Sequence, residues 1–398
     1  MKQRFRRILR ICCSAVMLGC LMNGMPADAA EVPEITAKGC VLMDAQTGYV
    51  LFAQNEQEKL PMASTTKIMT TLLTLESGDL DTPFIVDSAA IHVEGSSMGL
   101  QEGDTVTRRA LCVGMLLPSG NDGANAAAVS VGGSIPDFLE MMNARAKEIG
   151  MTRSFFASPS GLDAEGHGAS AYDMALLARE ALKNPDFAAI CSRQSMTVCY
   201  GDPPYARTLT NTNKLLGMDD TVIGVKTGFT DAAGRCLVSA CGRQERTLIC
   251  VTLNDRNDWA DHSALYDYGF AGASVYTPPV PEQVTVQLEG GSVQTVTGYV
   301  RETPQMTAWY GKPPAYTVTA LLPPFLTAPV AAGTQIGEMI WRNGSVEIER
   351  TPIFSADTIY PAAESEPESL LSRIIKRIRL CIGFTNSIKF VSIYKVDE

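Results

Sequence analysis

Ser64-Thr65-Thr66-Lys67 leads directly into Ile68-Met69-Thr70-Thr71-Leu72-Leu73-Thr74-Leu75, a hydroxyl-rich tetrapeptide at the head of an apolar run. The run is apolar enough for a buried helix, and residues three apart on a helix share a face. Ser64 and Lys67 are therefore expected side by side at the helix start. A serine hydroxyl is a weak nucleophile until a neighbour takes its proton. A neutral lysine can be that neighbour. Burial, a second cation nearby and the positive end of the helix dipole all favour the neutral form. The same helix start aims backbone N–H groups at an incoming carbonyl, which suits a developing oxyanion.

Two more motifs follow in order. Ser119-Gly120-Asn121 comes after Val113-Gly114-Met115-Leu116-Leu117 and Pro118, and reads as a loop. Lys226-Thr227-Gly228 comes after Val222-Ile223-Gly224-Val225, and Lys226 is expected to end that strand. Cys236 to Ala240 and Thr247 to Leu253 then form a hairpin-like pair. Alone, each motif is weak: S-x-x-K occurs by chance about once in a chain of this length, S-G-N is most often a turn, and K-T-G is a common strand end. Together they supply a nucleophilic hydroxyl, an amine, a second hydroxyl, an amide and a second cation. That set serves acyl transfer through a serine ester without any histidine.

This order of motifs matches the S-x-x-K, S-D-N and K-T-G pattern of penicillin-binding proteins and β-lactamases. With Glu94-Gly95-Ser96-Ser97-Met98, Leu116 to Asp122, Ser158-Pro159-Ser160-Gly161-Leu162, Ala171-Tyr172-Asp173-Met174-Ala175 and Gly224 to Thr230, the chain resembles serine-type D-alanyl-D-alanine carboxypeptidases, the low-molecular-mass penicillin-binding proteins. The resemblance covers about residues 35 to 270 well and the region to about 360 less specifically. It implies an α+β fold, one mainly antiparallel sheet covered by helices as in β-lactamases and transpeptidases. It implies removal of the terminal D-alanine from peptidoglycan stem peptides ending in D-Ala-D-Ala, a role in cell-wall biogenesis and cell shape, and inhibition by β-lactams. It also implies roles by position: Ser64 as the acylated nucleophile, Lys67 as its base, and Ser119 as a relay toward the leaving amine. Asn121 would bond the substrate peptide, Lys226 and Thr227 of the Lys226-Thr227-Gly228 motif would bind its terminal carboxylate, and the N–H groups of Ser64 and Phe229 would form the oxyanion hole. Arg235 is either a further carboxylate contact or a solvated strand charge.

Other readings stay open. One is a β-lactamase-like hydrolase or an esterase of the same fold; another is a non-catalytic module that only captures β-lactam or peptidoglycan. Class A β-lactamases use an extra glutamate to activate water. No Glu-x-x-Leu-Asn run lies between Asn121 and Lys226, which disfavours fast β-lactam hydrolysis. A dead module should have lost Lys67, Ser119 or Lys226, and all three are present.

The N-terminus reads as a secretory signal over residues 1–29: Lys2, Arg4, Arg6, Arg7 and Arg10, then the apolar Ile11 to Met22, then Ala27-Asp28-Ala29 at a cleavage point. An uncleaved anchor, or a lipid on Cys20, are the alternatives. Residues 1–29 hold five cations and one acid, so their removal takes the net charge from −10 to about −14, which argues against nucleic acid as partner. Eight of the 11 cysteines follow residue 29, without the density of a disulfide framework. Cys236 and Cys250 sit in strand-like apolar contexts and are read as core. The three histidines, His92, His167 and His262, pair with no cysteines at zinc spacing. Neither a metal nor a cofactor is expected. His167 either lines the site or is structural or exposed.

Residues 30–272 are read as the catalytic domain, with helices over Ala124 to Val131, Pro136 to Ile149 and Tyr172 to Lys183 and strands within Gly39 to Phe52, Leu237 to Ala240 and Leu248 to Leu253. Thr277-Pro278-Pro279-Val280-Pro281 looks like a linker. Residues 273–358 then read as a small all-β domain, from the alternation at Val284, Val286 and Leu288 and a hairpin at Trp341 to Val346. That domain is a spacer, a docking module or packing support. Residues 359–398 read as an acidic tether and a tail. Leu371, Ile374, Ile375, Ile378 and Ile382 follow a helical period beside Arg373, Lys376, Arg377 and Arg379. Such a basic amphipathic helix either attaches peripherally to the extracytoplasmic face of a membrane or docks on the protein. Residues 385–398 give no reading.

Overall fold

The computed structural model describes residues 31–244, 246–280, 283–313, 315–343, 346–362 and 389–396. The signal segment and the amphipathic stretch 371–382 lie outside them.

Strands β1 (Gly39–Asp44) and β2 (Val50–Gln54) form a hairpin. The chain then makes a 3₁₀ turn, Ala63–Thr66, and enters helix α1 (Lys67–Glu76). Helices α2 (Arg108–Leu116), α3 (Asn121–Gly132), α4 (Ile135–Ile149) and α5 (Ala171–Ala181) follow. Thr107, Ser134 and Ser170 cap α2, α4 and α5 by accepting from the N–H three residues on. A hairpin of β3 (Ser195–Gly201) and β4 (Pro204–Thr210) precedes β5 (Val222–Thr230), β6 (Gly234–Arg243), β7 (Arg246–Leu253) and helix α6 (Asp258–Ala271).

The central sheet has the order β2-β1-β7-β6-β5 and is antiparallel throughout. Side chains alternate faces along a strand. Val41, Met43, Val238 and Val251 therefore face one core with α1 and α5, while Cys40, Leu42, Leu237 and Cys250 face a second core with Leu265 and Tyr266 of α6. Cover on both faces explains why β1 reads as an unbroken buried run rather than an alternation.

The expected end of a strand at Lys226 is corrected. β5 continues through the whole Lys226-Thr227-Gly228 motif to Thr230, paired with β6. Gly228 permits this. A Cβ there would stand 3.0 Å from Ser64 N and 3.1 Å from Met62 O, so any larger residue would push the strand and the serine turn apart by a few tenths of an ångström.

The C-terminal part is all β. Ala273–Tyr276 pairs with Met306–Trp309, and Trp309 packs into the core of Leu42, Leu265 and Tyr266. A seven-stranded sheet follows in the order Leu326–Thr327, Val284–Glu289, Thr295–Val300, Val346–Ser355, Gln335–Asn343, Tyr316–Leu322, Lys389–Val396, around Val296, Val318, Met339, Trp341 and Ile353. The strand at 389–396 falls in the stretch whose sequence gave no reading; it adds an edge to Tyr316–Leu322.

Candidate active site

The sequence places Ser64 at a helix start, three residues before Lys67. It stands there in the 3₁₀ turn that leads into α1, with Lys67 as the first residue of α1. A 3₁₀ turn brings residues i and i+3 into closer register than an α-turn does, and Lys67 Nζ lies 2.9 Å from Ser64 Oγ. Two other elements hold the amine: Asn121 Oδ1 from the start of α3 at 2.7 Å, and the Ser160 carbonyl at 2.6 Å. That carbonyl arrives on the loop Ser158–Leu162. Gly161 turns the loop at φ +89°, and a Cβ there would fall 2.0 Å from the Ala63 carbonyl oxygen.

Lys67 is fully buried, and burial followed by the nearby charge of Lys226 drives its amine well below the ordinary lysine range, with Asp122 pulling the other way. A neutral amine has two hydrogens and one lone pair. Asn121 Oδ1 and the Ser160 carbonyl accept only, so they take the two hydrogens. The lone pair is left for Ser64 Oγ.

Ser64, Ser119, Thr227, Gly228 and Phe229 line one cleft of about 330 Å³. Ser119 occupies the left-handed region at φ +67°, in the turn between α2 and α3. Phe229 is 63% exposed at the rim. Lys67, Asn121 and Lys226 do not line the cleft; they stand buried behind its wall. Lys226 Nζ donates to the Thr227 carbonyl at 2.8 Å, and burial pushes it down to about 7.

The cleft also takes in Ser96, from the stretch Glu94 to Met98, and members that no motif points to: Thr212, Lys214, Cys236, Asp258 and Trp259. Thr212 and Thr227 bond through their hydroxyls at 2.6 Å. Arg235 also lines the cleft. One of its terminal nitrogens donates to both oxygens of the buried Asp258, at 2.6 and 2.8 Å, and its guanidinium lies 5.2 Å from the Trp259 ring centre. It is thus a paired, stacked cation at the cleft wall and not a free strand charge.

His167 lies behind the turn and takes the structural alternative. Its Nδ1 accepts from Ala157 N–H at 3.1 Å, so Nε2 carries the hydrogen and donates to Thr66 Oγ1 at 2.9 Å. Thr66 Oγ1 in turn donates to the Ala63 carbonyl at 2.7 Å. Burial pushes His167 down to about 4, which suits this neutral bracing role. The seven cysteines among the described residues are all free thiols, six of them buried.

The geometry can do one kind of chemistry: raise a serine oxygen as nucleophile, with its base behind it, in a cleft carrying a second serine, a threonine and an arginine. Comparison with known proteins points the same way. The family model described as D-alanyl-D-alanine carboxypeptidase, Peptidase S11, matches residues 26–257. The chain is 36% identical to the D-alanyl-D-alanine carboxypeptidase DacF of Bacillus subtilis, over 59% of this chain and 62% of that protein. It is 31% identical to DacC of Escherichia coli, over 83% of this chain and 86% of that one. The crystal structure of penicillin binding protein 5 from Haemophilus influenzae superposes with a TM-score of 0.62 at 26% identity, covering 83% of this chain and 99% of that chain.

Proposed function

The chain belongs to the D-alanyl-D-alanine carboxypeptidase family, and from that premise we propose that it removes the terminal D-alanine of peptidoglycan stem peptides through a serine acyl-enzyme, and that β-lactams inhibit it by acylating the same serine. The observation that carries this is the three-point hold on Lys67 Nζ, which leaves its lone pair for Ser64 Oγ.

In the reaction, Lys67 takes the Ser64 proton as Oγ attacks the carbonyl of the penultimate D-alanine. The N–H groups of Ser64 and Phe229 receive the oxyanion; the backbone of β5 passes beside Ser64 N at Gly228. The tetrahedral intermediate collapses, its C–N bond breaks, and the proton taken up by Lys67 is passed to the departing amine through the Ser119 hydroxyl, which receives one proton as it gives one. Water then cleaves the Ser64 ester by the reverse proton path. Thr227 and Arg235 meet the terminal carboxylate in the cleft, while Lys226 acts from beneath Thr227 as a buried positive charge. Arrival of a carboxylate favours the charged form of Lys226.

Incubation with a pentapeptide ending in D-Ala-D-Ala, followed by mass spectrometry, should show loss of one alanine. Fluorescent penicillin should label the protein, and Ser64→Ala should abolish labelling. Stoichiometric labelling of the Ala variant would sink the assignment.

Location is part of the same proposal: export through the segment 1–29, and peripheral attachment at the extracytoplasmic membrane face through the basic apolar stretch 371–382. Its support is the sequence pattern of those residues.

A further inference from the structure

Asp122 follows Asn121 at the start of α3. It is 2% exposed and takes part in no ion pair among the described residues. A lone buried carboxylate is costly unless donors solvate it, and this one has five. Oδ1 accepts from Met98 N and Gly123 N, both at 2.9 Å. Oδ2 accepts from Ser97 Oγ at 2.6 Å and from Gly99 N and Leu100 N at 3.0 Å. Four of the five donors belong to the segment 97–100, which forms a nest around the anion.

The segment is latched from other sides too. The buried Met98 side chain fills a socket between Gly114, Gly120 and Gly123: a Cβ at Gly114 or Gly123 would fall 2.2 or 2.8 Å from its sulfur, and one at Gly120 would fall 2.8 Å from Met98 N. Tyr200 Oη donates to the Met98 carbonyl and Arg207 Nη1 to the Gly99 carbonyl at 2.8 Å.

The latched segment decides which way the Asn121 amide points. Asn121 Nδ2 donates to the Glu94 carbonyl and Asn121 N to the Ser96 carbonyl, both at 2.7 Å. With Nδ2 held there, Oδ1 must face Lys67 Nζ. A flipped amide would present a donor to Lys67, and the amine would have to give its lone pair to Asn121 in place of Ser64. We propose that Asp122 is a positioning residue for acylation: by clamping the segment 94–100 it fixes the Asn121 amide, and through it the direction of the Lys67 lone pair. The proposal rests on the reading of Ser64 and Lys67 above.

Asp122 also acts through its charge. The charged groups facing Lys67 are Lys226 on β5 and Asp122 on α3; Ser64, Asn121 and the Ser160 carbonyl bear none, and His167 behind Thr66 is held neutral. Asp122 is thus the one that favours the ammonium.

Asp122→Asn tests both effects, because it is nearly isosteric, removes the charge, and in either amide orientation sets a donor against two backbone N–H groups. The second-order rate of acylation by fluorescent penicillin, followed from pH 5 to 9 with the melting temperature, is the readout. The plateau rate should fall about ten- to a hundred-fold in a folded protein, within the range of misaligned catalytic groups, and the acid limb should move to lower pH. Ser97→Ala removes one of the five donors and keeps the charge; it should slow acylation about threefold or more, the factor that loss of a hydrogen bond of ordinary net strength implies, with the limb unmoved. A folded Asp122→Asn protein with the wild-type limb, or with a full plateau rate, overturns the proposal; so does full-rate Ser97→Ala if Asp122→Asn does not fold. Failure of the underlying reading looks different: Ser64→Ala would then still label.

Discussion

Replacing Lys67 by methionine isolates the proton-transfer step, because methionine keeps most of the volume and loses the amine. The stability cost is bounded by the structure. Asn121 Oδ1 and the Ser160 carbonyl lose their donor, at about 1–3 kcal/mol for each unsatisfied acceptor. Against that, the fold no longer buries an ionisable group whose charged form it disfavours. Exchange of buried charge for apolar volume is often neutral or stabilising. The net should be a kcal/mol or two, a shift of about 2–8 °C in melting temperature for a domain of this size. The kinetic cost is larger. A positioned general base contributes about 10²–10⁴-fold, or about 3–5 kcal/mol at roughly 1.4 kcal/mol per decade. Acylation by fluorescent penicillin should fall by that factor at neutral pH. The wild-type rate should decline as pH drops through the lowered value of Lys67, because protonation removes the lone pair; the residual rate of Lys67→Met should lack that limb. Lys67→Arg should be as slow, since a guanidinium stays protonated. If folded Lys67→Met acylates within tenfold of wild type, or keeps the acid limb, Lys67 is not the base.

Lys226→Met removes the positive neighbour that lowers Lys67, so the acid limb of acylation should move to higher pH, opposite in direction to Asp122→Asn; an unmoved limb would uncouple the two lysines. Burial holds His262 down to about 3 and His167 to about 4, against an ordinary 6.5. Below pH 6.5 the unfolded chain takes protons that the folded chain refuses, so stability should fall as pH drops from about 6.5 toward 4; urea midpoints across that range should show the slope, and His262→Gln should flatten it by one proton. Neutralising the tail cations (Arg373→Gln, Lys376→Gln, Arg377→Gln and Arg379→Gln together) should release the protein from anionic vesicles in co-sedimentation without slowing cleavage of a soluble peptide. Substitution serves better than truncation here, because a cut at Glu366 also deletes the edge strand at 389–396.

What the sequence discloses and what it hides divide along a physical line. Side-chain chemistry at short range is legible: Ser64 and Lys67 are three apart, and any helical turn of that handedness brings them together. The buried strands are legible too, because Val41, Leu42 and Met43 have no polar face to offer water. Contacts made by backbone atoms are not. The Ser160 carbonyl is the shortest bond to Lys67, yet any residue has a carbonyl; the stretch Ser158 to Leu162 stands out by resemblance alone, and Gly161, forced by the Ala63 carbonyl beneath it, is its one physical mark. Pairings between distant charges are equally silent, since nothing at Arg235 says that an aspartate 23 residues later will fold against it.

Depth is the last hidden quantity, and it alters the chemistry most. A lysine in K-T-G reads as a cation waiting for a carboxylate, and a strand ending at Lys226 would have put its ammonium in the cleft. β5 instead runs on, and the pleat sends Lys226 to the buried side while Thr227 faces the cleft. Two fully buried lysines thereby stand behind the wall. Each is lowered by burial, and Lys67 is lowered further by its neighbour. In the proposed reaction a carboxylate held at Thr227 would favour a proton on Lys226, and a charged Lys226 would make Lys67 a poorer ammonium. Binding at Thr227 would then ready the base on the neighbouring helix, and the period of two along a single strand is what sets Lys226 behind Thr227 for that role.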